Sequence, residues 1–367
     1  MKKHLLRALI LLLLLFLLPL RAYASEVAEE QWSALQTEEL EEAGEEALPG
    51  LELDLNLDLG DGLRRVAEKG LGELERVVKS TLRTGVLLLL ATLLCGVLDV
   101  TQLKIGGRGL DLTALAGTAS ILALAMTDVS SLATLGRQMM EELESFSKVL
   151  LPTLTAAAVA SGNITGAAVR QSATLLFSDV LLTLMNRVLL PLVYLYTGVC
   201  AGYAAVGNQG LRRIGDLLKW GITVVLTAVV TAYVTWLGAS SAIAGKADAL
   251  TMKTASFAIS TMVPVVGRIL SSATETVVAG AGVVKNAVGI FGLIVTLAFC
   301  VIPFLQMGIH YLVYKVTSAL SATLSGGRIA GLIGDIGTAF GLILAMNGAG
   351  VLVLLISLMV GISATVG

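Results

Sequence analysis

Leu151 to Val169 reads LPTLTAAAVASGNITGAAV, and no charge falls between Lys148 and Arg170, close to the length of a membrane span. The stretch opens on Pro152, is built mostly of Ala, Gly, Ser and Thr, and carries Asn163 in its middle. It is apolar enough to enter a bilayer, yet too small and polar to suit a lipid-facing surface. Irregular backbone persists at membrane depth only where protein or water surrounds it. The segment therefore predicts a re-entrant or broken helix that packs against protein or lines a cavity. About a hundred residues later, VPVVGRILSSATETVVAGAGVV has the same character, led by Pro264 and adding Arg268 and Glu275.

The whole chain fits that reading. Hydrophobic residues make up 56% of it, charged residues 14%, and the mean hydropathy is +0.86. Ordinary soluble domains carry about 25% charged residues. The expectation is an all-α, polytopic membrane protein.

At the N-terminus Lys2, Lys3 and Arg7 precede an apolar run from Ala8 to Leu18, then Pro19 and the small-residue pattern Ala22, Tyr23, Ala24. This is the form of an export signal over residues 1–24, cleaved before Ser25; an uncleaved anchor helix is the alternative. Either way, the chain after Ser25 is placed outside the cytoplasm. Residues 25–61 form an acidic exported segment, without Lys or Arg from Ser25 to Leu63. Within it Leu51 to Leu59 alternates leucine with acids or Asn, the period of a strand or of a short amphipathic linker.

Residues 62–84 form a basic amphipathic helix suited to the membrane interface, with Leu63, Val66, Leu71, Leu74 and Val78 as its apolar face. The polytopic domain is residues 85–367. Basic residues accumulate on the cytoplasmic side of membrane proteins. That rule puts Lys104, Arg108, Arg212, Arg213, Lys219, Lys315 and Arg328 inside, and makes RQMMEELESFSK an outer loop. The tail from Ile329 is read as one tilted span or a tight pair turning near Asn347. Hydropathy gives about five to eight spans in all. Pro152 and Pro191 lie 39 residues apart, as do Pro264 and Pro303, with an offset of 112 between the pairs. These landmarks suggest a parallel internal repeat over residues 146–253 and 257–367, although residue identity at that offset is what two Ala/Leu-rich segments share by chance.

No HExxH, GxSxG, Walker lysine loop or GxGxxG after a strand occurs, so neither catalysis nor a cofactor is expected. Cys95, Cys200 and Cys300 are isolated and read as buried thiols, and His310 alone makes no metal site. Nothing points to nucleic acid. The informative polar residues sit within spans. Ser172, Asp179 and Asn186 recur at intervals of seven, with Arg187 beside them, and form one helical stripe; Arg268 and Glu275 are likewise seven apart. A charge at mid-bilayer costs several kcal/mol unless it faces protein or water. The stripe is therefore either an Asp179–Arg187 network between helices or a hydrophilic path wall. Gly162/Gly166, Gly198/Gly202 and Gly337/Gly341 are GxxxG pairs that favour close helix packing or self-association. Asp128 and Asp335 read as isolated acids near a membrane edge.

The order of these features, with SFSKVLLPTLTAAAVASGNITGAAV, RIGDLLKW and ASFAISTMVPVVGRILSSATETVVAGAGVVKNAVGIFG, resembles the stage III sporulation protein AE family of endospore-forming bacteria. The resemblance covers essentially the whole mature chain. It implies a multi-pass subunit of the channel-like complex joining mother cell and forespore, in the mother-cell membrane facing the forespore. It implies sister proteins as partners, among them a cytoplasmic ATPase and ring-forming subunits, and it carries over no catalytic residue. Arg212, Arg213 and Lys219 would then be the cytoplasmic loop facing the ATPase. The competing expectation is a stand-alone secondary transporter using Asp179, Arg187, Arg268 and Glu275.

Overall fold

The computed structural model describes residues 59–101, 112–160, 176–177, 179–243, 287–324 and 327–366. Every regular element among them is helical: α1 (Leu59–Thr101), α2 (Leu112–Ala160), α3 (Leu190–Val206), α4 (Gln209–Ile243), α5 (Ala287–Ser321) and α6 (Gly327–Val366). A π turn, Met185–Leu189, leads into α3 from helical residues that begin at Asp179. Among the described residues six helices are long and apolar enough to cross a membrane. The chain is a multi-pass helical membrane protein.

Side-chain contacts fix the directions. Thr81 meets His310, and the Thr92 hydroxyl donates to Ser321 Oγ at 3.2 Å, so α1 and α5 run parallel. Phe146 packs on Phe299 with ring centres 5.9 Å apart while Tyr314 reaches Asp128, so α2 is antiparallel to α5. Tyr233 meets Ser357 and Arg212 meets Asp335, so α4 is parallel to α6. The helices alternate up and down.

All three tight helix pairs close at one end of the bundle, the turn end. Gly207 ends α3 in the left-handed conformation (φ 74°), donates to Tyr203 O at 2.7 Å, and lies against Arg328 at the start of α6. Gly117 near the start of α2 packs on Cys95 near the end of α1 and on Ile329. At the opposite end α2 finishes and α3 begins, as do α4 and α5.

Helix α6 is the central element. Its apolar stretch is 94% buried, against 28% for α1 and for α4. Gly334 faces Ser318, and Gly337 lets the Tyr314 Cβ approach to where a side chain would stand. Lipid tails are as apolar as leucine, so close approach rather than water exclusion holds such helices together. Val86, Leu90, Leu94 and Val97 on α1, Leu195 on α3, and Leu312, Val316 and Leu320 on α5 remain exposed as the outward apolar belt.

Several sequence expectations change. The interfacial helix and the first span are one continuous 43-residue helix, about 65 Å long. Its buried stripe is Val66, Gly70, Val77, Thr81, Gly85, Leu88, Thr92 and Cys95, whereas Leu71, expected on the apolar face, is exposed. The supposed outer loop RQMMEELESFSK is helical and lies within the 49-residue α2. The tail is a single helix that does not turn at Asn347. Residues 1–58, including the signal and most of the acidic segment, lie outside the described residues.

Candidate functional site

Polar side chains inside the bundle gather in two places. The first is near the turn end. Arg212 projects from the first turn of α4 and its Nη1 donates to Asp335 Oδ2 at 2.7 Å. Tyr196 of α3 donates its hydroxyl to the other carboxylate oxygen at 3.3 Å. One residue before Asp335, the Gly334 carbonyl accepts from Lys315 Nζ at 2.8 Å, and Thr338 Oγ1 accepts from the same ammonium at 2.7 Å. Lys315 stands 5.8 Å from the centre of the Tyr311 ring, and the Arg212 guanidinium 5.7 Å from that of Tyr203. Ion and hydroxyl thus satisfy the charge that burial of Asp335 would otherwise make costly. Helices α3, α4, α5 and α6 all contribute. Deeper, the Tyr314 hydroxyl donates to Asp128 Oδ2 at 2.8 Å, which accounts for the acid in the apolar half of α2.

The second place lies midway along α6. Asn347 is buried; its Nδ2 donates to Ile343 O at 2.9 Å, while its Oδ1 has no hydrogen-bond partner among the described residues. Only glycine fits opposite it, since a Cβ on Gly136 would press on the Asn347 amide. Ala133, Arg137, Met185, Asn186, Leu190 and Met346 complete the lining of a cavity of about 10 Å³, the size of one water molecule. Met185 and Asn186 belong to the π turn. Such turns interrupt the regular i→i−4 pattern, and they are frequent at functional sites.

The expected site residues separate. Asn186 reaches the cavity, whereas Asp179 and Arg187 are exposed and form no ion pair with each other. Pro152 lies inside α2, two residues before the buried Leu154. Gly162, Asn163, Gly166, Pro264, Arg268 and Glu275 lie outside the described residues, as does the second small-residue segment; of the first, residues 151–160 continue α2 and the rest lies outside the described residues. Of the glycine pairs, Gly337 makes a close helix contact, while Gly198 faces open space. The segment Arg212–Lys219 is helical; the connection proper is Gly207 and Asn208. Arg212 is engaged inside the bundle, and Arg213 and Lys219 are exposed. Among the described residues no group of three or more His, Cys, Asp or Glu side chains is placed to hold a metal ion.

Asp335 and Asn347 carry both arrangements, and each shows only weakly in the sequence: an acid and an amide alone in an apolar helix. In a membrane span such a residue implies a partner. Nothing local to Asp335 identifies Arg212 as that partner, 123 residues earlier.

The family model described as Stage III sporulation protein AE matches residues 57–365. The Stage III sporulation protein AE of Bacillus subtilis (strain 168) is 24% identical over 209 residues, which cover 57% of this chain and 52% of that protein. The alignment thus spans about half the length of that relative. No solved structure matches the chain.

Proposed function

Because the chain belongs to the Stage III sporulation protein AE family, we propose that it is a membrane subunit of the channel complex linking mother cell and forespore. In this reading it supports transport into the engulfed forespore and late gene expression there, as a structural and conducting subunit rather than an enzyme. The family match carries the proposal. The fold is compatible with it: Arg212, Arg213, Lys315 and Arg328 lie at the turn end, the side that would face a cytoplasmic ATPase. Arg213 is the exposed cation in the first turns of α4 for that contact, since Arg212 is committed to Asp335 and Lys219 lies ten residues into α4. Ring-forming sister subunits and a second copy of this chain would contact other faces. The exported N-terminal segment would lie between the two membranes.

The transporter alternative draws less support. Asp179 and Arg187 lie on an exposed surface.

Deletion of the gene, with vegetative growth and spore formation followed separately, tests the proposal. Normal growth with arrest after engulfment, restored by the intact gene, is expected. Normal sporulation without the protein would overturn it.

A further inference from the structure

The turn end carries more positive charge than the bundle neutralises. Arg212 is anchored to Asp335, and Lys315 to Gly334 and Thr338, so the start of α4 and the end of α5 flank the same turns of α6, with Lys219 two turns along α4 on the side of Arg212. Arg212 takes Asp335 at 2.7 Å and reaches Asp216 at 3.9 Å. Lys315 and Lys219 have no carboxylate within ion-pair distance among the described residues. Lys315 is half-buried, yet its two hydrogen bonds go to neutral oxygens, and the attraction of Asp335, already paired with Arg212, is opposed by the repulsion of Lys219 and Arg212. An ammonium withdrawn from water in that setting gains from an added anion.

The surroundings specify which kind of anion. Gly331, Gly334, Thr338 and Gly341 form the partly open stripe of α6 that floors this face. Large apolar side chains stand exposed beside it: Trp220 on α4, and Leu312 and Val316 on α5. A soluble anion has no use for them; acyl chains do. Lys315 lies six residues from the end of α5 and Lys219 ten from the start of α4, depths of about 9 and 15 Å along the helices. With the turns in water, that is where headgroups meet the apolar core, and the exposed Trp220 is the residue type that sits at this boundary.

We infer that the face of α6 flanked by α4 and α5 at the turn end binds an anionic phospholipid, with Lys219 and Lys315 on its phosphate and Trp220, Leu312 and Val316 along its chains. Basic sites between membrane helices recognise such headgroups. The inference does not depend on the sporulation role.

The test uses the full-length protein purified in a neutral detergent. Phosphatidylglycerol, phosphatidylcholine or inorganic phosphate is added, and bound lipid is counted by native mass spectrometry alongside thermal unfolding. Phosphatidylglycerol should remain bound and raise Tm, with phosphatidylcholine and phosphate inert. Lys219→Gln/Lys315→Gln should weaken retention about thirtyfold, as expected for two basic residues at an anionic surface. Lys219→Gln alone, at an exposed position, should fold normally and lose part of the affinity. Equal binding of phosphatidylcholine, an equal shift with free phosphate, or undiminished retention by both variants would overturn the inference.

Discussion

Arg212 and Asp335, on different helices and 123 residues apart, meet at 2.7 Å, and Tyr196 closes the second carboxylate oxygen. This contact fixes the start of α4 against the central helix. Removing one partner strands the other, so Arg212→Leu and Asp335→Leu should each destabilise the protein by about 2 kcal/mol. That is less than for a fully buried pair, because the guanidinium is partly exposed. The double variant should cost less than the two singles together. Thermal unfolding in detergent measures the cycle; strict additivity would show that the two charges do not stabilise each other.

A second contact depends on an absent side chain. Gly136 leaves room for the Asn347 amide, and a Cβ there would lie 3.2 Å from Asn347 Oδ1 and nearer still to Nδ2. Gly136→Ala should destabilise by about 1–3 kcal/mol through overpacking. Shortening the opposing residue in Gly136→Ala/Asn347→Ala should recover part of that loss. An unfolding temperature that is unchanged in Gly136→Ala would mean that the helices separate freely here.

The helical class and the apolar character of the spans were legible in the sequence because composition alone demands them. The inward face of α1 was not. Of the expected face Leu63, Val66, Leu71, Leu74 and Val78, the helix buries Val66 and leaves Leu71 exposed, and it buries Gly70, Thr81, Gly85 and Thr92, which were not expected there. Inside a membrane small residues allow contact, and hydrophobicity does not mark the packed face. The charged run Arg137–Lys148 misled in a similar way. Its charges suggested a loop, yet Glu144 and Lys148 pair along one helix at 2.6 Å, and Phe146 and Leu150 beneath them pack on α5. The Asp335 site was invisible as a site, because its members come from four helices and only the fold assembles them.

The parallel register of α1 and α5 has its own check. Thr92 and Ser321 are in hydrogen-bond contact, whereas Leu71 points outward. With Cys95, Cys200 and Cys300 replaced by Ala, Thr92→Cys/Ser321→Cys should form a disulfide under mild oxidation. Leu71→Cys/Ser321→Cys should not. A free Thr92→Cys/Ser321→Cys pair under the same conditions would place the span of α1 elsewhere.

The alternating helix directions predict a labelling pattern in intact cells. Thr323 lies just past α5 at the turn end, and Arg213 is exposed in the first turns of α4, so cysteines at both positions should report the same side. Glu73 in the first half of α1 and Glu141 in the second half of α2 lie toward the opposite end, so cysteines there should report the other side. The proposed function puts the turn end in the cytoplasm. A membrane-impermeant maleimide should therefore label Glu73→Cys and Glu141→Cys in intact cells, and Arg213→Cys and Thr323→Cys only after permeabilisation, all in the background lacking the three native cysteines. Reversal of both pairs would keep the bundle and invert the protein in the membrane, moving Arg213 away from any cytoplasmic ATPase. Labelling of Arg213→Cys and Thr323→Cys from different sides would break the up-down order itself.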